Sequence, residues 1–248
     1  MTLPLVIIPA RLASSRLPNK PLADIAGSPM IVHVLRAAQA ANIGRVIVAA
    51  ADQAIYDVVR HAGGEAVLTP PELPSGSDRV WHAVQQVDAQ GTPELIINLQ
   101  GDLPTFPPEH LQTLVGLMAN PIYDLGTLVA PITTETEKHT DSVVKVACDF
   151  AANQSHTLGL YFSRAPLPWG AGPFWHHVGV YCWRRQALQH FVSLPESGLE
   201  QREKLEQLRA LEAGMHIGCT PIPLAPFGVD TPKDLERARQ ILSETNKQ

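Results

Sequence analysis

Cysteine is scarce in this chain: Cys148, Cys182 and Cys219 stand far apart among 248 residues and form no C-x-x-C pair. An odd number at such spacing excludes both a disulfide framework and a zinc knuckle, and it fits a reducing compartment. The two common glycine signatures for nucleotides are also missing. No G-x-G-x-x-G follows the first strand-like run and no G-x-x-x-x-G-K occurs, so neither a dinucleotide fingerprint nor a Walker loop is present. Positive charge is not in excess, since 19 lysines and arginines face 24 acidic residues for a formal charge of -5 and a pI near 6.0. Nothing in that balance draws in a nucleic-acid backbone, and any polyanionic ligand must be met by a local basic cluster. Long apolar runs are absent near the start, where Pro9 and Arg11 interrupt a stretch too short for a signal segment or a membrane span. A cytoplasmic protein with no nucleic-acid and no membrane partner is therefore expected. Internal repeats, low-complexity tracts and a clear linker are lacking too, and the 22 prolines are spread along the chain.

What is there describes an ordinary globular protein, with 45% hydrophobic and 17% charged residues. A chain of this length buries roughly three-quarters of its unfolded surface. One domain spanning residues 1–248 is expected. Residues 5–8 form an unbroken apolar run rich in β-branched side chains, which reads as a strand buried on both faces and ended by Pro9. Ser28 and Pro29 are placed to cap and open a helix whose Met30, Ile31, Val34, Leu35 and Ala38 share a face. Residues 45–50 repeat the strand signature, and Asp52 opens a helix that stops at Gly63 and Gly64. A third pair follows with a strand over 66–68 and a helix over 78–87, and a fourth strand over 95–99 ends at Gln100, Gly101 and Asp102. Strands alternating with helices at this spacing predict an α/β fold with a mostly parallel, Rossmann-like central sheet and helices on both faces. Beyond residue 120 the alternation weakens. Strand-like runs at 125–129, 143–148, 157–162 and 178–183 predict a smaller antiparallel second lobe, followed by a helix over 200–213 and a final helix over 233–242 capped by Thr231 and Pro232.

In parallel α/β sheets ligands bind beyond the carboxyl ends of the strands. That rule singles out the loop running from Pro9 to Leu22, which places Arg11, Arg16 and Lys20 together with Ser14 and Ser15. Three cations and free backbone N–H groups are what a triphosphate and its departing pyrophosphate require. Asp102, at the end of the fourth strand, can hold a hard cation there, and Asp230 is the candidate second carboxylate; two carboxylates plus phosphate oxygens suit magnesium. The alternative for each is ordinary, a solvated basic loop or an aspartate capping a turn.

The segments IIPARLASSRLPNKPL (7–22), PMIVHVL (29–35), SGSDR (75–79), NLQGD (98–102), VVKV (143–146), YFSRAPLPW (161–169), HHVGVY (176–181), EKLEQLRALEAG (203–214) and GVDTP (228–232) occur in this order over nearly the whole chain. In that pattern the sequence resembles the 3-deoxy-manno-octulosonate (Kdo) cytidylyltransferases, within the A-type nucleotidyltransferase (nucleotide-diphospho-sugar transferase) fold. The resemblance implies transfer of CMP from CTP to Kdo for lipopolysaccharide biosynthesis, with Mg2+ as cofactor and a homodimer as the assembly. It implies a nucleotide-binding half up to about residue 120 and a sugar-binding and dimerisation half beyond it. Catalytic roles fall on Arg11, Arg16, Lys20, Asp102 and Asp230, the two aspartates holding the metal. CTP is implied to lie against Pro9, Ala10, Arg11, Ser14, Ser15, Arg16, Lys20, Ser75, Gly76, Arg79 and Gln100. The sugar is implied to meet Gln100, Lys145, Arg164, His177, Tyr181, Glu203 and Gln207, the last two spaced by four and so expected on one helical face.

Three short stretches depart from the family pattern. Ala50 and Ala51 replace the usual Thr-Asp after the second strand, Leu103 stands where an acidic or amide residue is frequent, and Ser77-Asp78 replaces a threonine and glutamate. The first two leave open an 8-amino form of the sugar or a catalytically silent nucleotide-binding homologue, and a CMP-sialate synthetase or another sugar nucleotidyltransferase stands as the rival among enzymes. Offering different acidic sugars and measuring pyrophosphate release separates these readings.

Overall fold

The computed structural model describes residues 2–13, 17–152 and 154–245. The chain groups into two compact units, Met1–Gln112 with Pro226–Gln248, and Thr113–Ala225.

In the first unit β1 (Leu5–Ala10) is buried at all six positions. A short 3-10 turn (Lys20–Leu22) leads to a hairpin of β2 (Asp24–Ile25) and β3 (Ser28–Pro29), then α1 (Met30–Ala40), β4 (Arg45–Ala50), α2 (Gln53–His61), β5 (Glu65–Leu68), α3 (Gly76–Val87) and β6 (Leu95–Asn98). The strands β5-β4-β1-β6 lie side by side and all pair parallel, as the alternation of elements requires. β1 runs through Pro9 instead of ending there. Proline is tolerated because pairing to β6 covers only Leu5 to Ile7, and Leu99 N closes that ladder on Ile7 O at 3.1 Å.

The expected cap at Ser28 and Pro29 is not formed. Ala26 (φ 49°) and Gly27 (φ 82°) both sit in the left-handed region, which is the two-residue turn that suits a hairpin. That turn draws Ser28 and Pro29 into pairing with Asp24 and Ile25. The helix then begins at Met30, whose N–H donates to Ala23 O at 2.9 Å.

The helix α4 (Glu109–Leu117) carries the boundary between the units. The second unit contains β7 (Leu125–Ile132), α5 (Glu135–His139), β8 (Lys145–Ala147), β9 (Thr157–Leu158), β10 (Tyr161–Ser163), β11 (Phe174–Arg184), α6 (Arg185–Ser193), α7 (Gly198–Glu203), α8 (Gln207–Glu212) and β12 (Ile217–Pro221). β7 is antiparallel to β11 and parallel to β12, while β8 pairs antiparallel with β10 and β11. The sheet of this unit is thus mixed. The register of β11 on β7 shifts between Val178 and Tyr181, and the Thr127 hydroxyl sits beside the carbonyls of Val178 and Val180 at 2.9 and 3.0 Å. A buried hydroxyl thereby meets backbone oxygens that the bulge removes from the ladder.

The single helix expected over 200–213 is broken. Lys204 takes φ 58°, which ends α7, and α8 starts only at Gln207. The carbonyls of Glu203 and Lys204 face the Arg164 guanidinium at 2.8 and 3.3 Å instead of continuing the helix. Glu203 and Gln207 consequently do not share a helical face. The chain returns to the first unit with α9 (Pro232–Thr245), where Thr231 Oγ1 accepts from Asp234 N at 3.2 Å as the cap.

Candidate active site

The site begins at the carboxyl end of β1. Ala51 N donates to Ala10 O at 2.9 Å, so β4 follows β1 to its last residue, and Asp52 Oδ2 accepts from Leu12 N at 2.8 Å. The aspartate expected only to open α2 therefore also anchors the first loop. Ser14, Ser15 and Arg16 lie outside the described residues. Downstream, Asn19 in the left-handed region turns the chain into the 3-10 segment that starts at Lys20.

Gly101 brings the turn after β6 against the same strand end. A Cβ there would stand 2.9 Å from Pro9 O, closer than side chains tolerate, so glycine permits the approach. The next residue is Asp102. Its carbonyl accepts from Val229 N at 3.0 Å, which ties the turn to the segment before α9 and so to Asp230. Asp234 fixes that segment from the other side, since its Oδ2 accepts from Asp230 N, Thr231 N and Thr231 Oγ1 at 3.2, 2.9 and 2.8 Å. Burial pushes the Asp234 carboxyl up, and the hydrogen bonds from Thr231 and Asp230 with the nearby Arg237 outweigh it, so the net shift is downward. Asp234 was not singled out from sequence, although a carboxylate three residues after a capping threonine is a readable signature.

Lys20 closes the arrangement. Its Nζ lies 2.8 Å from Asp102 Oδ2 and 3.0 Å from Asp230 Oδ1, partners 82 and 210 residues away in the chain. Burial draws the ammonium pKa down, but the two carboxylates prevail and hold it above the usual lysine value.

These groups line a cavity of about 360 Å³, together with Pro9, Ala10, Arg11, Ala13, Pro21, Ser75, Gly76, Arg79, Gln100 and Gly101. The size is in the range of small-molecule sites. Arg79 is buried, donating to Thr69 Oγ1 at 2.6 Å and to Pro70 O at 2.9 Å. Burial lowers its pKa and the charge of Arg11 lowers it further, against Asp52 and Glu72. Ser75 caps α3 by accepting from Asp78 N at 3.2 Å. The Gln100 amide donates to Asn98 Oδ1 at 3.0 Å, and Asn98 Nδ2 donates to Ser77 Oγ at 3.5 Å, both Asn98 and Ser77 being fully buried. That chain turns the Gln100 amide oxygen away from Asn98 as an acceptor. The two carboxylates, brought to one ammonium from separate elements, offer oxygen donors of the kind a hard divalent cation takes. Among the described residues no third histidine, cysteine or acid joins them, so the residues fit a metal whose remaining ligands come with a phosphate-bearing substrate.

Comparisons with known proteins agree with this geometry. A family model described as Cytidylyltransferase matches residues 5–217. The 3-deoxy-manno-octulosonate cytidylyltransferase of Parvibaculum lavamentivorans is 57% identical over 97% of this chain and 93% of its own length. The chain belongs to this cytidylyltransferase family. Another member, from Rhodopseudomonas palustris strain HaA2 and of the same name, is 55% identical over 98% of this chain and 100% of its own length. A solved structure of CMP:2-keto-3-deoxy-manno-octonic acid synthetase complexed with CTP superposes with a TM-score of 0.89 at 38% identity, over 98% of this chain and 100% of that one. The 4-diphosphocytidyl-2C-methyl-D-erythritol synthase of Anaerococcus prevotii, at 9% identity and a TM-score of 0.65, shares the fold alone.

The residues that the cytidylyltransferase family implies for the sugar, apart from Gln100, all lie in the second unit. Lys145 is fully buried, and its ammonium donates to Thr140 O, Val143 O and Arg164 O at 2.9, 2.7 and 2.6 Å. Burial lowers its pKa, with Asp141 opposing and Arg164 adding to the effect. Arg164 reaches Glu203 O, Asp141 O and Lys204 O, while the Glu203 carboxylate accepts from Ser163 Oγ at 2.7 Å and Arg164 N at 3.0 Å. Tyr181 donates to Gln207 Oε1 at 3.2 Å, the Gln207 amide nitrogen reaches His177 Nδ1 at 3.4 Å, and His177 Nε2 meets Thr127 Oγ1 at 3.2 Å. All four are buried, and burial first, with neighbouring His176 second, pushes the His177 pKa down to about 3. Such a ring stays neutral, donating through Nε2 and accepting through Nδ1.

Proposed function

We propose that this chain transfers CMP from CTP to the anomeric hydroxyl of Kdo, releasing pyrophosphate. The observation that carries the reading is the meeting of Lys20, Asp102 and Asp230 in a cavity that also holds Arg11 and Arg79, together with the relatives at 57 and 55% identity. The anomeric oxygen attacks the α-phosphorus, the bond to the bridging oxygen of the β-phosphate breaks, and pyrophosphate leaves while the hydroxyl proton passes to solvent. Little covalent chemistry is demanded of the protein, so placement and charge neutralisation supply most of the acceleration. Arg11 and Lys20 take the phosphates, a role the family resemblance also implies for Ser14, Ser15 and Arg16. Pro9, Ala10, Ser75, Gly76 and Arg79 border the nucleoside, and Gln100 offers its amide oxygen to a hydroxyl or amine of either substrate. Asp102 and Asp230 would hold magnesium, which when bound would supply charge neutralisation at the phosphate oxygens.

Kdo carries a carboxylate and several hydroxyls. Arg164 answers the first kind of group, and Glu203, Gln207, His177 and Tyr181 answer the second. Lys145 serves from behind, because its three N–H donors hold the backbone on which Arg164 stands. A homodimer in the cytoplasm, feeding lipopolysaccharide synthesis, completes the proposal. No helix among the described residues is long and apolar enough to cross a membrane.

Pyrophosphate release from CTP, Kdo and magnesium tests the reading. Asp102→Ala is expected to lose about a hundredfold in kcat, the usual effect of removing a group that stabilises transition-state charge. Turnover of UTP as fast as CTP, or an Asp102→Ala enzyme as fast as wild type, contradicts it.

A further inference from the structure

Lys20 occupies a position that the proposed function also asks of a metal, and the inference that follows rests on that function. Its ammonium stands 2.8 Å from Asp102 Oδ2 and 3.0 Å from Asp230 Oδ1, with the lysine side chain 15% exposed and the aspartates 33 and 48% exposed. A divalent cation bridging those two oxygens approaches each to about 2.1 Å. An ammonium and a divalent ion crowding the same pair of carboxylate oxygens would place three positive charges against two negative ones. The arrangement that relieves this moves the lysine. Its stem is flexible and its head is a point charge that exchanges one anion for another readily. A destination lies in the same cavity, where Lys20 shares the lining with Arg11 and Arg79.

We infer that Lys20 is an exchangeable counter-ion: without nucleotide its ammonium holds the metal-binding carboxylates together, and arrival of the triphosphate with magnesium moves it onto phosphate oxygens. The two carboxylates are then not left to repel one another while the site waits for substrate. The exchange also makes nucleotide and metal assist each other, because whatever draws Lys20 to phosphate clears the carboxylates. Such assistance is reciprocal between the two ligands.

The test is Mn2+ binding to the full chain without nucleotide, read by electron paramagnetic resonance and calorimetry, for wild type, Lys20→Met, Lys20→Gln and Arg11→Met. Circular dichroism establishes that each variant is folded. Both Lys20 variants are expected to bind Mn2+ about tenfold more tightly than wild type, since two partly exposed ion pairs no longer compete. Arg11→Met, which removes a cation lining the cavity but not the bridge, is expected to change affinity by no more than about twofold, as a solvent-screened charge that makes no ion pair with either aspartate does. Unchanged or weaker binding by both Lys20 variants overturns the exchange, and so does an equal gain in Arg11→Met, because a diffuse field would then account for it. Absence of Mn2+ uptake by every form overturns both the exchange and the metal assignment. Pyrophosphate release by wild type in the same buffer reports separately on the proposed function.

Discussion

Lys20 and Lys145 are both drawn out of water and both have their ammonium groups engaged, but their partners differ in kind. Lys20 in the first unit meets two carboxylates that belong to separate loops. Lys145 in the second meets three backbone carbonyls, on Thr140, Val143 and Arg164, and is fully buried. A cation held by ionised side chains can be traded for another cation when an anionic ligand offers it a place. One held by carbonyls resists exchange, because moving it takes a hydrogen bond from three main-chain oxygens at once, although Thr140 O keeps Val143 N at 3.1 Å. The same contrast runs through the rest of each region. Around the cavity, Arg11, Lys20, Asp102, Asp230 and Gln100 face a space. In the second unit, His177, Tyr181, Gln207 and Thr127 face one another. The first arrangement holds charge ready for a ligand, and in the second the side chains proposed for the sugar hold one another in fixed positions.

The comparison can be broken most severely at Lys145. Lys145→Met keeps the length and apolar stem but removes three charge-assisted hydrogen bonds to main-chain carbonyls, so unfolding free energy is expected to fall by about 3 kcal/mol, lowering the melting temperature by roughly 6–12 °C for a chain of this size. Lys20→Met, by contrast, is expected to leave the melting temperature within about 3 °C, since partly exposed ion pairs contribute little. Thermal denaturation followed by circular dichroism measures both, and equal losses would erase the distinction.

An effect of comparable size concerns pH. The folded state holds His177 near pKa 3 while the unfolded chain titrates near the ordinary 6.5, so the unfolded state binds the extra proton in between. Its stabilising contribution is therefore complete above pH 6.5 and is lost as pH falls toward 3, at up to about 1.4 kcal/mol per pH unit. Urea midpoints measured from pH 7 to pH 4 are expected to fall more steeply for wild type than for His177→Gln, which has no proton to gain. Parallel curves would show that His177 is not held neutral. The mildest break is Asp234→Ala, which leaves the Thr231 cap but removes the carboxylate that accepts from Asp230 N, Thr231 N and Thr231 Oγ1. About 1 kcal/mol of stability is expected to go, and the metal concentration for half-maximal rate is expected to rise while the KM for Kdo stays constant.

Much of this was legible in the amino-acid order. The parallel strands declared themselves because residues 5–8, 46–50 and 96–97 are buried on both faces and therefore unbroken in hydrophobicity. The end of each strand then pointed to Pro9, Asp52 and Asp102. The meeting of Asp102 with Asp230 carried no local signal, since it depends on Val229 pairing with the turn after β6, and only the family resemblance indicated it. Local reading failed where tertiary contacts overrode a propensity. Ser28 and Pro29 look like a helix start, yet the left-handed Ala26 and Gly27 turn them into a hairpin strand. Residues 200–213 carry a helical pattern, yet Arg164 claims the carbonyls of Glu203 and Lys204 and the helix divides. The strand over 217–221 was missed because Gly218, Thr220 and Pro221 weaken its pattern, although four of its five residues are buried.

The central claim is that Asp102 and Asp230 share one divalent ion opposite the cations of the first loop. Crystals grown with CTP and Mn2+, measured for anomalous scattering at the manganese edge, test it most directly. A peak within about 2.3 Å of an oxygen of each aspartate, with the Lys20 ammonium moved to a phosphate, is the expected result. Manganese bound elsewhere while Lys20 still bridges the two carboxylates would contradict the account.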